Sequence, residues 1–197
     1  TAERARGLWT DIDRVPAGYA QLGFTAAFMV ARSRHDERST ELIGGVLDAI
    51  FEPYAGNPRN LLVRQIRSRH FEPDVDLMVA AVSASSSMVE RWLFAAGDQG
   101  VAIPAGALDR LLHIAEKVDS PTLMAQVLRL QGLSDSRPEA LRTALSISEQ
   151  MGAIPNVGRL ACEIGQLTND PALVKRGIGL LRNIGDLEML DRYESAG

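Results

Sequence analysis

The side chains that most often carry chemistry are few and dispersed in this chain. Histidine occurs at His35, His70 and His113, and the single cysteine is Cys162. None of them shares metal-ligand spacing with another, so they read as surface or packing residues. Cys162 stands in Leu160-Ala161-Cys162-Glu163-Ile164. No histidine beside it would draw off its proton, which makes it a packing thiol rather than a nucleophile. Carboxylates fall close together at Asp11 with Asp13, Asp74 with Asp76, and Glu188 with Asp191. Caps and solvated helix ends account for them, and no acid–base pair stands out. Gly44-Gly45 and Gly177-Ile178-Gly179 lack the Lys-Ser/Thr and the preceding strand of a phosphate-cradling loop. Trp92 reads as an interhelical core residue rather than a stacking platform. The sequence therefore assigns no catalytic, cofactor or metal site.

One charged motif recurs. Arg32-Ser33-Arg34-His35 returns as Arg67-Ser68-Arg69-His70, a shift of 35 residues. Cations at the end of a helix interact favourably with its dipole, by a few tenths of about 1 kcal/mol. The same run could also form a strip that reads anions.

The elements that position these residues are helices in a repeat. The C-terminal half aligns on itself with a shift of 33: Gly132 falls on Gly165, Pro138 on Pro171, Leu141 on Val174, Ala144 on Gly177, and Gly152 on Gly185. Each unit reads as a helix, a polar break, a proline, a second helix and a glycine. Proline at the first helical position loses no hydrogen bond, because that N–H has no partner in a helix anyway. Asp170 is placed to cap its helix, with Ser136 in the matching role one unit earlier. Gly152 and Gly185 suit a left-handed stop. Small residues at Ala144 and Gly177 let two helices approach closely. Weaker copies begin at Leu108, Val75 and Leu42, the last matched through Gly45, Val46 and Ala49.

This reading predicts a partial helix near 2–14, pairs at 17–34 with 38–52, 58–70 with 73–84, and 86–97 with 105–118, then 121–133 with 138–151 and 155–167 with 171–184, and a closing helix near 186–195. The units are thus 17–52, 58–84, 86–118, 121–151 and 155–184 of one helical-repeat domain over 1–197. Every proline falls at a proposed boundary. The composition agrees: 46% of residues are hydrophobic but only 5% aromatic, a mix that suits close-packed helices better than sheets. A net charge of −4 argues against a general nucleic-acid binder. The longest apolar run, 24–31, is far short of a membrane span. No signal peptide is visible, and a lone thiol fits a reducing cytoplasm. The chain starts at Thr1 rather than Met, which reads as a piece of a larger protein.

A helix–turn–helix unit of 33–35 residues resembles the tetratricopeptide repeat. That family's paired small positions correspond to Gly132 with Ala144 and Gly165 with Gly177, while its aromatic positions are mostly missing. The resemblance implies an all-α, right-handed α-solenoid of about five antiparallel helix pairs, with a HEAT-like solenoid as the alternative. The stretch 172–190 is similar to repeats in bacterial ATP-dependent LuxR-type transcription regulators and multidomain adenylyl cyclases, where such repeats serve as sensor or interaction regions.

In tetratricopeptide geometry the first helices line a concave groove. The family's groove positions correspond here to Arg34, Asn60, Arg67, His70, Gln126, Arg129, Arg137, Arg159, Gln166 and Asn169, a polar and rather basic set. Arginine forks suit carboxylates on a peptide or a phosphorylated ligand. The resemblance thus implies a non-catalytic interaction or regulatory module of a bacterial signalling protein. Its partner would be a protein, a peptide or neighbouring domains of the parent chain, with no cofactor, membrane or direct nucleic-acid contact. An exposed end helix offers a route to a homodimer. The alternative is a small-molecule sensor, which requires a ligand-sized pocket and ligand-dependent thermal stabilisation.

Overall fold

The computed structural model describes residues 17–51 and 56–195. The helix expected near 2–14 and the breaks at Pro16 and Pro53 lie outside the described residues. Eleven helices and no strand occur among the described residues. They are α1 (Ala17–Ser33), α2 (Glu37–Phe51), α3 (Pro58–Ser68), α4 (Val75–Ala84), α5 (Ser86–Asp98) and α6 (Ala105–Lys117), then α7 (Pro121–Ser134), α8 (Pro138–Gln150), α9 (Ile154–Thr168), α10 (Pro171–Ile184) and α11 (Leu187–Glu194). The predicted pairs are α1 with α2, α3 with α4, α5 with α6, α7 with α8 and α9 with α10, and α11 is the predicted closing helix; α5 and α6 depart from this pairing, α5 packing mainly on α3, α4 and α7, and α6 on α4 and α7. No helix is long and apolar enough to cross a membrane among the described residues.

The turns show why the helices stop where they do. Within pairs, His35, Arg69, Gly100, Ser136 and Asn169 are left-handed; between pairs, Asp119, Gly152 and Gly185 are. A left-handed residue aims the next N–H back at the last helical turn. The bond it permits recurs: Asp36 to Ala31, Val101 to Ala96, Arg137 to Gly132 and Asp170 to Gly165 within pairs, and Ser120 to Ala115, Ala153 to Ser148 and Asp186 to Leu181 between them. Pro58, Pro121, Pro138 and Pro171 open their helices, and Asp170 accepts from the amides of Ala172 and Leu173. Ser136 departs from its expected role. It occupies the left-handed turn, and Arg137 at the cap position of α8 makes no side-chain cap bond.

Packing runs along the chain. Contacts join α1 with α2, α3 with α4, α4 with α5, and each helix from α6 to α10 with the next. Contacts at a separation of two link α3 with α5, α4 with α6, and α5 with α7. A large core cluster extends from Phe28 to Leu130, with Trp92 fully buried in it. The Trp92 indole N–H donates to Gln65 Oε1 at 2.8 Å, and its ring meets Phe71 edge to face at 5.6 Å. A second cluster surrounds Leu141, Ala144 and Leu160, and a third joins Cys162 and Leu181 to Met189, Leu190 and Tyr193 of α11.

The glycines named by the repeat sit at close approaches. A Cβ on Gly177 would fall 2.5 Å from Cys162 Sγ and 2.6 Å from the Gly158 carbonyl oxygen. At Gly132 it would lie 2.7 Å from Leu141, and at Gly165 2.6 Å from Val174. The earliest unit slips in register. Leu42 is 40% exposed and Gly45 is exposed, while Val46 and Leu47 are buried, so α2 turns its inward face one residue later than the repeat predicts.

Packing also spans the chain: α11 lies against α1. The two ends of the described chain therefore meet, and the space between them is where the charged side chains gather.

Candidate functional site

Four elements surround a recess of about 370 Å³. Helix α1 contributes Ala26, Met29, Val30, Arg32 and Ser33, followed by Arg34; α5 contributes Glu90, Arg91, Phe94, Ala95 and Asp98. Helix α9 contributes Pro155, Asn156 and Arg159, and the α10–α11 junction supplies Ile184, Asp186 and Glu188. The five α5 residues keep three- and four-residue spacing, one face of a helix. The volume is within the usual range for small-molecule sites, roughly 300–1,000 Å³.

A buried ionic network forms one wall. Arg129, 1% exposed, holds Glu163 through Nε and Nη2, with contacts from 2.6 to 3.0 Å, and reaches Asp98 at 2.9 Å. Arg159 reaches Asp186 at 2.8 Å. Its Nε is 3.3 Å from Asp98 but is not aligned for a hydrogen bond. The Tyr193 hydroxyl donates to Glu163 at 3.3 Å. The Arg159 guanidinium stands 4.1 Å from the Phe94 ring centroid, so the aromatic floor of the recess is capped by a cation.

The titration of these groups follows from burial and charge. Burial works against the Arg129 cation, but Glu163 and Asp98 outweigh it and hold the guanidinium well above its ordinary range. Burial raises Asp186, with Arg159 opposing the rise. Burial next to Glu163 also raises the Tyr193 phenol. Arg32 and Arg91 are lowered by burial, against the pull of Glu188 and Glu90 respectively. The Cys162 thiol is pushed up to about 12 by burial and by Glu163, which suits packing and not nucleophilic attack.

The two Arg-Ser-Arg-His runs share one partner, Glu188, and otherwise diverge. From the first, Arg34 donates to the Ile184 carbonyl at 3.1 Å, His35 lies 3.3 Å from Asp191, and Arg32 approaches Glu188 at 3.8 Å. From the second, Arg69 also holds Glu188, Arg67 pairs with Asp48, and His70 lies 3.3 Å from Glu72. Arg192 donates to the Asp98 carbonyl at 2.7 Å. Acidic side chains of α11 thus lie on the cationic ends of α1 and α3.

Of the residues expected to line a groove, the structure brings Arg34 and Arg159 to the recess, with Arg129 directly behind it. Arg129 and Gln126 are too deeply buried to face an open surface, and the Gln126 Oε1 has no hydrogen-bond partner. Asn60 is buried as well. Arg67 is half-buried on Asp48. His70, Arg137, Gln166 and Asn169 are exposed away from the recess, Arg137 paired with Asp135 at 2.6 Å. Sequence reasoning missed Arg91, Phe94, Asp98 and Asp186; it named Arg32 only in the Arg-Ser-Arg-His run and Glu188 only among solvated carboxylates. One signal was available: Arg129 and Glu163 are charges inside apolar helix runs, 34 residues apart, one repeat length.

No group of three or more His, Cys, Asp and Glu that could hold a metal ion occurs among the described residues. Comparison of the chain with protein-family models, with curated proteins and with solved structures gives no match in any of the three.

Proposed function

We propose that this chain is a non-catalytic regulatory module, a tetratricopeptide-like right-handed α-solenoid, that senses a small molecule. The observation that carries the reading is the recess of about 370 Å³ between α1, α5, α9 and the start of α11. It combines an apolar patch of Met29, Val30 and Phe94 with converging charged groups, the two components of small-ligand sites. Its walls come from helices far apart in the chain, so a ligand there would couple the two ends. Such coupling suits a signalling or transcription-regulatory parent in the cytoplasm.

Methionine NMR tests the reading. With the methionine methyls labelled with ¹³C, Met29 reports on the recess and Met151, half exposed at the end of α8 and outside the recess lining, serves as the control. A chemically diverse fragment library is expected to yield compounds that move Met29 saturably, leave Met151 in place and raise the Tm. A library that never moves Met29 on the folded protein would overturn the reading.

A second reading, docking of a peptide or partner domain, is favoured by a different surface. Leu133 and Leu167, each 38% exposed at the ends of α7 and α9, stand in sequence beside exposed Arg137, Gln166 and Asn169. Peptides selected from a displayed library on the full chain would lose binding on Leu167→Glu. Selection indifferent to that substitution would remove this reading.

A further inference from the structure

The charges of the recess do not cancel evenly. Four arginines line it, Arg32, Arg34, Arg91 and Arg159, and so do four carboxylates, Glu90, Asp98, Asp186 and Glu188. Three of the carboxylates are already answered. Asp98 is held by Arg129 and lies beside Arg159, Asp186 is held by Arg159, and Glu188 is held by Arg69. Arg69, Arg129 and Glu163 are the partners behind the wall, so the assembled set has one more cation than anions. Glu90 is half-buried without a cation in ion-pair contact among the described residues, and burial raises its carboxyl against a hydrogen bond with Thr122 and the charge of Arg91.

The arginines are less well matched. Arg91 donates to the Leu22 carbonyl and Arg34 to the Ile184 carbonyl, and neither has a carboxylate within ion-pair distance among the described residues. The nearest carboxylate to Arg32 is at 3.8 Å, and its buried Nε has no hydrogen-bond partner. Backbone carbonyls answer part of a guanidinium and leave its charge uncompensated. The same recess offers Met29, Val30 and Phe94 as an apolar wall.

We propose that the recess takes a small amphipathic anion, with an apolar body against Met29, Val30 and Phe94 and a single carboxylate or phosphate held by Arg34 and Arg91. This rests on the small-ligand reading above and adds the chemical class of the ligand. A cationic ligand is disfavoured, because Asp98, Asp186 and Glu188 each already have an arginine. The planar guanidinium fork fits carboxylate and phosphate alike, so the two sources are separated by experiment.

Octanoate, phenyl phosphate and octanamide are titrated at constant ionic strength into the full chain carrying ¹³C-methyl methionine. Octanoate or phenyl phosphate is expected to move Met29 saturably and raise the Tm, with octanamide inert; the stronger of the two anions identifies the headgroup. Arg34→Met and Arg91→Met are each expected to weaken binding about tenfold, the loss of one charge-assisted hydrogen bond. Circular dichroism establishes that each variant is folded, and Arg34, at the exposed mouth, keeps the test open if Arg91→Met does not fold. Octanamide binding as tightly as octanoate overturns the anion assignment and leaves the small-ligand reading standing. The same holds if only library fragments move Met29 and all three probes fail. If neither fragments nor probes move it, both conclusions fall. Undiminished anion binding to an Arg34→Met/Arg91→Met double variant overturns the role of those two arginines.

Discussion

Arg129 is the one charged residue among the largest fully buried side chains, and its surroundings show what it costs to keep it there. Two carboxylates hold it, yet its Nη1 has no acceptor. Removing one member of a buried ion pair leaves an unpaired charge in a poor solvent, at a cost of about 3–5 kcal/mol. Arg129→Met is expected to lose that much in urea unfolding. The Arg129→Met/Glu163→Met variant should recover a large share, because both charges leave the interior together. No recovery would mean that the loss comes from packing against Phe94 rather than from stranded charge. Glu90 gives a pH prediction with the opposite character. Its folded carboxyl titrates above the ordinary range, so between the unfolded value and the raised one the folded state binds more protons than the unfolded state. This group's contribution makes stability fall as pH rises through that window. Glu90→Gln keeps a partner for Thr122 without a charge to bury. It is expected to raise stability at neutral pH and flatten the decline above mildly acidic pH, as followed by Tm across a pH series.

At the scale of elements, the helix boundaries were readable because their causes are local. Pro58, Pro121, Pro138 and Pro171 open helices, Gly152 and Gly185 close them, and Asp170 caps, each through backbone geometry that its own residue dictates. The slipped register of α2 was not readable, since Leu42 and Ile43 are equally apolar and only packing chooses between them. The recess was harder still. Arg34 and Arg159 came through the repeat register, but Arg91 and Asp98 of α5 share the recess with Glu188 because α11 lies back on α1. That contact is largely ionic on the α1 and α3 side and apolar on the α10 side, where Met189, Leu190 and Tyr193 join Leu181. The two halves should therefore separate. Glu188→Lys sets a cation against Arg69 and Arg32 and is expected to cost roughly 1 kcal/mol, discounted because Arg69 is substantially exposed. Hydrogen exchange should show α11 amides losing protection while α9 amides keep theirs. Adding Arg69→Glu restores the pair with its signs reversed, and protection of α11 should return with it. If the double variant opens further, the contact is not held by this charge pair.

For the whole molecule, the question is whether one end knows the state of the other. Helices that touch only their sequence neighbours give stability that sums unit by unit, and such arrays unravel from the ends. Here the α11–α1 contact and the network running from Asp98 through Arg129 to Glu163 and Tyr193 add links across the units. Met88 lies fully buried in the large cluster and Met189 in the C-terminal one, so their labelled methyls report on the two regions separately. In the native sequence both signals are expected to vanish at the same temperature, the mark of a cooperative transition. In Glu188→Lys the Met189 signal should go first, with Met88 following near its original midpoint. Separate midpoints already in the unsubstituted protein would show that the contact between the ends carries no coupling. In that case a ligand in the recess could order its own walls but would have no route from α1 to the C-terminal helix. Coincident midpoints that divide only when Glu188 is reversed would give the recess a means of sensing both ends at once.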